Sequence, residues 1–194
     1  MKNKILIFLI LLCQNFNLQA QHFLIEFKPG LFLPTSTNFK DIYSKKGGIY
    51  GLELTGRLKG YWYGFLSADF FKKSGNTVNF DTQTHVKITN VGFGLKYFIP
   101  IGCGDLYLGI GALPTYLSTR DESAFVPNIH HKWGCGGIVK LGAIFDVTSC
   151  LFVDLFLDCA FAKVDFKFIP DQITQLHNAK LNNLWLGLGI GFRL

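Results

Sequence analysis

The residues best placed to do chemistry are ten charged side chains that fall at alternate positions of seven of the eight short segments that show this alternation. Five of them are acids and five are bases. Equal numbers on one face predict ion pairing, because an unpaired charge in a narrow space with little water is costly. An ion or proton path is the alternative. The ten residues are Glu26, Lys28, Glu53, Arg57, Asp69, Lys96, Lys140, Asp154, Asp158 and Arg193. Within this set we expect Lys140 to reach Asp154 and Asp158, and Arg193 to lie near Glu26.

Four cysteines follow the first 20 residues and form two candidate pairs. Cys135 and Cys159 share one face of neighbouring predicted strands at nearly opposite positions. Cys103 and Cys150 both occupy short turns at one end of the fold. In an oxidising compartment, pairing into disulfides and retention as free thiols both remain open.

The segments that carry these residues alternate apolar and polar side chains, which is the period of a β-strand. The last segment runs from Leu184 to Leu194 and shows the rhythm most plainly. Seven earlier segments repeat it, the first from about His22 to Leu33. Val86 and Ile88 break the parity of the fourth segment, so we expect a bulge there or an extension above the membrane.

The connections between the segments differ in length in a regular way. Short turns follow the second, fourth and sixth segments. Long polar connections follow the first, third, fifth and seventh, over about 34–48, 74–77 and beyond, 118–132 and 163–183. This asymmetry is typical of a barrel whose two ends face different compartments. The sequence therefore predicts an all-β fold, an eight-stranded antiparallel up-and-down transmembrane β-barrel.

Glycine indicates which face lies inside. Twelve of the 21 glycines lie on the charged face, where small residues suit a lumen only just wide enough for side chains. The large apolar residues then face outer-membrane lipids.

The chain divides into two parts. Residues 1–20 resemble a cleaved signal peptide, with Lys2 and Lys4 ahead of an apolar core and a cut after Ala20, and residues 21–194 form the barrel domain. Removing the two lysines from 19 basic residues leaves 17 against 13 acids, a mild +4. Four lysines lie beside the predicted long loops, and nothing interleaves them with stacking aromatic residues, which argues against nucleic acid as a partner. They are Lys45, Lys46, Lys72 and Lys73.

The chain resembles the small eight-stranded outer-membrane barrels, similar to OmpX, OmpW and the membrane domain of OmpA. The resemblance is architectural and covers nearly all of the mature sequence. Its closing strand, Leu184 to Leu194, is similar to the C-terminal assembly signal of that group, although Leu194 stands where an aromatic residue is usual. The resemblance implies insertion by the barrel-assembly machinery into the bacterial outer membrane.

The resemblance does not extend to a catalytic site. A lipid A deacylase would carry a His-x-Ser pair in this closing region, but the chain has His177, Asn178 and Ala179, without the nucleophile. His130 and His131 are adjacent, so in an extended segment they point in opposite directions and chelate a metal poorly. We therefore expect no enzyme, no metal and no cofactor, with a lipid A-modifying hydrolase the weakest alternative.

Two functions remain open from the sequence. The first is a structural or surface-interaction role, in which the long loops contact a host or envelope partner. The second is an OmpW-like conduit for small hydrophobic molecules. Apolar residues in the third and fourth loops suit a binding surface or a mouth, and these are Phe125, Val126, Ile129, Phe166, Phe168 and Ile169.

Overall fold

The computed structural model describes residues 23–35, 46–76, 83–121, 129–164 and 179–194. These residues form a single antiparallel sheet of ten β-strands. The strands are β1 (Phe23–Pro34), β2 (Gly47–Lys59), β3 (Trp62–Asn76), β4 (Gln83–Pro100), β5 (Gly104–Ala112), β6 (Thr115–Asp121), β7 (Ile129–Asp146), β8 (Leu151–Val164), β9 (Ala179–Lys180) and β10 (Asn183–Arg193). In the ranges described, the fold contains no helix with the length and apolar character needed to cross a membrane.

The ten strands close into a ring of eight, as predicted. β1 pairs with both β2 and β10, so the sheet has no free edge along the barrel. β5 and β6 are two halves of one barrel strand, interrupted at Pro114, which has no N–H to donate. Both halves keep one register with β4 and β7. β9 and β10 similarly continue one register on β8 across residues 181 and 182.

The predicted alternation of faces is confirmed. In β1, Ile25 and Phe27 are each 43% exposed on the outside, while Leu24 and Glu26 are each only 3% exposed inside the barrel. The inward glycines make room for large neighbours. A Cβ at Gly142, for example, would collide with the ring of Tyr107. The lumen is thus filled by side chains that reach across it.

Of the two alternatives expected for the fourth segment, a bulge or an extension, the bulge is wrong. β4 keeps a single register with β3 from Gln83 to Tyr97. Val86 and Ile88 are buried inside the barrel, with 1% exposure each. They hold the same inward parity as Lys96 because the inward face itself changes from charged to apolar toward the long-connection end.

The strands also extend further than predicted. β6 continues to Asp121 and β7 begins at Ile129, inside the range expected to be the third loop. β8 reaches Val164 and β9 begins at Ala179, within the expected fourth loop. The prediction assigned these segments to loops because they contain polar residues. A strand that projects beyond the apolar outer band can carry polar side chains on its outer face, because they are in contact with water there.

The interior has three layers from one end to the other, which are plainest on β1 and β7. At the short-turn end, an apolar cluster closes the barrel. The charged layer follows, and a second, larger apolar cluster fills the long-connection end. On β1 the sequence of layers is Leu24, then Glu26 and Lys28, then Phe32. On β7 it is Ile144, then Lys140, then Ile138.

Candidate functional site

The middle layer of the interior holds eight of the ten charged residues singled out from the sequence. Each is at most 4% exposed. They come from six of the strands, so the layer connects parts of the ring that are not neighbours in the sheet. The eight are Glu26, Lys28, Glu53, Asp69, Lys96, Lys140, Asp154 and Asp158.

Glu53 on β2 is the centre of this layer. Its carboxylate accepts a hydrogen bond from Lys96 on β4 and lies 3.0 Å from the Nζ of Lys140 on β7. The Nζ of Lys28 is 3.8 Å away, and the hydroxyl of Thr55 donates a hydrogen bond of 3.2 Å. Three ammonium groups therefore converge on one carboxylate, which joins β1, β2, β4 and β7 across the lumen.

A second group of contacts lies on β8. The Nζ of Lys140 is 2.7 Å from Asp158, whereas Asp154 accepts a 2.7 Å hydrogen bond from the hydroxyl of Tyr107 instead of pairing with Lys140. Lys28 lies between the two aspartates, 3.6 Å from Asp158 and 3.7 Å from Asp154. The expected pairing of Lys140 with both aspartates is therefore divided between Lys140 and Lys28.

Tyr107 is the member of this network that the sequence analysis missed. Its hydroxyl contacts Asp154 and lies 3.5 Å from the Nζ of Lys28, and its ring centre is 4.0 Å from the Nζ of Lys96. Phe156 adds a second aromatic face, 4.3 Å from the Nζ of Lys28. Aromatic faces attract ammonium groups where water is excluded. The signal was available, since Tyr107 shares the inward parity of the charged face.

Glu26 and Asp69 differ from the other acids of the layer. Within the described residues, no lysine or arginine lies at ion-pair distance from either carboxylate, although Ser67 donates a 3.3 Å hydrogen bond to Asp69. Glu26 also stands directly opposite Glu53 on the neighbouring strand, and its Oε1 has no hydrogen-bond partner. The buried layer thus contains five carboxyl groups and three lysines rather than equal numbers.

The two arginines lie outside the buried layer, which corrects the predicted pairing of Arg193 with Glu26. The guanidinium of Arg193 contacts Asp105 at 3.1 Å and Asp146 at 3.0 Å, at the short-turn rim. Arg57 donates a 2.7 Å hydrogen bond to the carbonyl of Gly60 in the first short turn. The prediction assigned these two arginines to the right face but not to the right height, because parity carries no information on position along the barrel axis.

Of the two alternatives left open for the cysteines, the structure favours free thiols over a Cys135–Cys159 bridge. Cys135 lies opposite Lys163 and Cys159 lies opposite Val139, so the two cysteines are four residues out of register. Four residues of strand span about 13 Å, which is beyond the reach of a disulfide. Cys103 and Cys150 are exposed, and all four of these cysteines carry free thiols.

The outer surface of the barrel is an apolar band. Large apolar side chains at alternate positions of every barrel strand are exposed, such as Leu52, Leu108 and Leu188. A continuous surface of this kind is rare on a water-soluble monomer. Near the short turns it ends in an aromatic group, where the rings of Tyr61 and Trp62 lie 6.1 Å and 5.1 Å from that of Tyr97.

A second aromatic row borders the band at the long-connection end. Directly paired positions on β2, β3, β4, β6 and β7 carry Tyr50, Phe70, Thr89, Tyr116 and Trp133. Eight residues separate Trp62 from Phe70 on β3, about 26 Å along the strand. With the strand tilt usual in membrane barrels, about 40°, the two aromatic rows enclose a band about 20 Å high.

Several predicted site residues lie outside the described residues. These are Phe125, Val126, Phe166, Phe168 and Ile169 of the long loops, and the signal peptide. Ile129 is the first residue of β7. Within the described ranges, no group of three or more histidine, cysteine or acidic residues is arranged to hold a metal ion.

Comparison with known proteins places the fold. No protein-family model matches the sequence, and no curated protein matches it either. Among solved structures, Neisserial surface protein A is 13% identical with a TM-score of 0.61, covering 89% of this chain and 97% of its own. OprG of Pseudomonas aeruginosa is 15% identical with a TM-score of 0.56, covering 90% and 97%. Ail of Yersinia pestis is 13% identical with a TM-score of 0.53, covering 91% and 100%.

The chain has the fold of the small outer-membrane β-barrels. In such a barrel the long connections lie at one end and both ends of the chain at the other. The described part of this outer-membrane-type barrel has that arrangement, with β1 beginning and β10 ending beside the short turns. The charged layer is then enclosed at mid-height, between the two apolar layers.

Proposed function

We propose that this protein is a non-enzymatic integral barrel of the bacterial outer membrane, exported by a cleaved signal peptide. Its role is structural or one of surface interaction through four long extracellular loops. The apolar band between two aromatic rows supports the membrane placement, because such a surface is stable only in contact with lipid. The barrel-assembly machinery would insert it.

The observation that carries this proposal is the packed lumen. Lys140 and Asp154 are fully buried at mid-height, and Phe152 and Trp185 are buried in the apolar layers on either side. Side chains therefore fill the cross-section of the barrel at three successive levels. With the lumen filled, the loops are the part of the molecule that can contact a partner. The fold neighbour Ail is named an attachment invasion locus protein and has also been crystallised with a heparin analogue. We propose a comparable contact role for the loops of this chain, with a host or envelope partner.

Conductance in a planar bilayer distinguishes the packed lumen from the conduit alternative. A purified and folded barrel with a packed lumen should give no stable ion-selective current, with or without small hydrophobic solutes. Stable single-channel currents from the wild-type chain would contradict the packed-lumen argument and favour the conduit.

The loop role is tested by display on a non-adherent bacterium. The wild-type chain should increase attachment to host cells or to other envelopes. A matched variant, in which residues 36–45, 77–82, 122–128 and 165–178 are replaced by short glycine-serine turns, keeps the described barrel and should lose that attachment. Equal attachment by both would assign the protein a structural role alone.

A further inference from the structure

Above the second aromatic row, the outer face of the barrel carries two rows of polar and basic side chains. The first row is Lys72, Lys87, Ser118 and His131, which are directly paired across β3, β4, β6 and β7. The next row toward the long connections holds Ser74, His85 and Arg120, again at paired positions. Together they form one continuous surface, which we call the basic rows.

Two lysines stand directly opposite each other in this surface. Lys72 on β3 faces Lys87 on β4, and both side chains are exposed. The Cβ atoms of opposite residues in an antiparallel pair are about 5 Å apart, and like charges in that position are destabilising. No ion pair within the described residues compensates either lysine. Such an arrangement is stabilised by an anion that contacts both ammonium groups.

No acid whose side chain the structure describes is available for this purpose. Every acid whose side chain the structure describes lies either in the buried layer or, like Asp105 and Asp146, at the short-turn rim. Hydrogen-bonding groups nevertheless surround the lysines. The hydroxyl of Ser74 is 2.8 Å from the Nδ1 of His85, and that of Tyr116 is 2.8 Å from the Nδ1 of His131.

The height of the basic rows identifies the class of anion. The first basic row lies two residues beyond the second aromatic row, which ends the apolar band. Lys72 follows Phe70 in this way on β3, and Ser118 follows Tyr116 on β6. Aromatic rows of membrane barrels lie at the boundary between hydrocarbon and head groups. Lys72, and Lys87 paired with it, are therefore close to the height of the head groups of the outer leaflet, where basic side chains attract anionic lipids.

We propose that the basic rows bind the phosphate groups of an outer-leaflet glycolipid of the lipid A type, with one phosphate between Lys72 and Lys87. Ser118 and His131 continue the row along the head group, and Trp133, directly below, contacts the acyl chains. The inference rests on the outer-membrane placement proposed above, and it adds a specific lipid and a specific face of the barrel.

Native mass spectrometry of the folded full chain tests the proposal. The wild-type chain, released from detergent, should retain bisphosphorylated lipid A in preference to the fully dephosphorylated glycolipid. Lys72→Gln and Lys87→Gln should each weaken retention about fivefold, and the double variant about thirtyfold. The reason is that one basic residue near an anionic surface contributes about 1 kcal/mol, which corresponds to about fivefold in affinity. Lys59→Gln is the matched control, because Lys59 is an exposed lysine at the end of β2, beside a short turn at the opposite end. It should stay within twofold of the wild type, and all variants should show the wild-type heat-modifiable gel shift.

Three results would overturn the inference. The first is equal retention by the wild type and the double variant. The second is equal retention of the phosphorylated and dephosphorylated glycolipids. The third is displacement of lipid A by millimolar inorganic phosphate or sucrose octasulfate, which would assign the surface to soluble anions. Failure to retain lipid of any kind would instead count against the membrane placement itself.

Discussion

Lys140→Met removes the most enclosed positive charge of the barrel and tests the packed charged layer directly. Lys140 is 0% exposed, and its Nζ contacts Asp158 at 2.7 Å and Glu53 at 3.0 Å. Methionine keeps an unbranched chain of similar length, so the change is mainly electrostatic. The layer would then hold five carboxyl groups and two lysines. Removing one partner of a buried pair costs about 3 to 5 kcal/mol, and we expect a loss in this range.

The assay is equilibrium unfolding in urea, in lipid or detergent, followed by the heat-modifiable gel shift and tryptophan fluorescence. Lys59→Met replaces an exposed lysine at the end of β2. It is the control and should change the free energy of unfolding by less than about 0.5 kcal/mol. The double variant Lys140→Met with Asp158→Asn should recover part of the loss, because removing both partners leaves fewer unpaired charges. A Lys140→Met chain within about 1 kcal/mol of the wild type would refute the reasoning.

Three further predictions follow from the same geometry. Leu108→Arg, in the middle of the apolar band, should cost about 2 to 4 kcal/mol, whereas Leu58→Arg near the short turns should cost about 1 kcal/mol or less, both measured by the same unfolding assay. Glu53→Gln should destabilise the barrel by several times as much as Glu26→Gln, because three lysines converge on Glu53 and none contacts Glu26 at ion-pair distance; equal losses would contradict the assigned network. Alkylation of the unfolded, unreduced chain should label Cys135 completely, and partial labelling would indicate a disulfide that the strand register forbids.

The sequence alone predicted the parts of the fold that depend on a period of two. Strand number, closure and the direction of each face follow from alternation together with turn length. Ile25 and Glu26 show why, since neighbouring residues of a strand must face opposite sides. The burial of eight of the ten charged residues followed from the same rule, without any knowledge of the register between strands.

The register between neighbouring strands, and the height of a residue along the barrel axis, could not be predicted from alternation. Cys135 and Cys159 have the correct parity, but a shift of four residues leaves parity unchanged and moves the two thiols out of reach of each other. Arg193 has the inward parity as well, yet its position near the end of β10 places it at the rim with Asp105 and Asp146. Val86 and Ile88 were misassigned because apolar residues were expected only on the outer face, whereas an enclosed lumen accepts them at either end.

The charged layer connects strands that the backbone hydrogen bonds of the sheet do not connect. Backbone hydrogen bonds join each strand only to its neighbours, whereas Glu53 on β2 contacts Lys96 on β4 and Lys140 on β7 across the lumen. The apolar layers on both sides exclude water, and ion pairs are stronger where water is excluded. An apolar core would fill the same volume but would not fix which strands face each other, since apolar contacts have no direction. The layer therefore links strands that are not neighbours in the sheet through contacts of fixed direction.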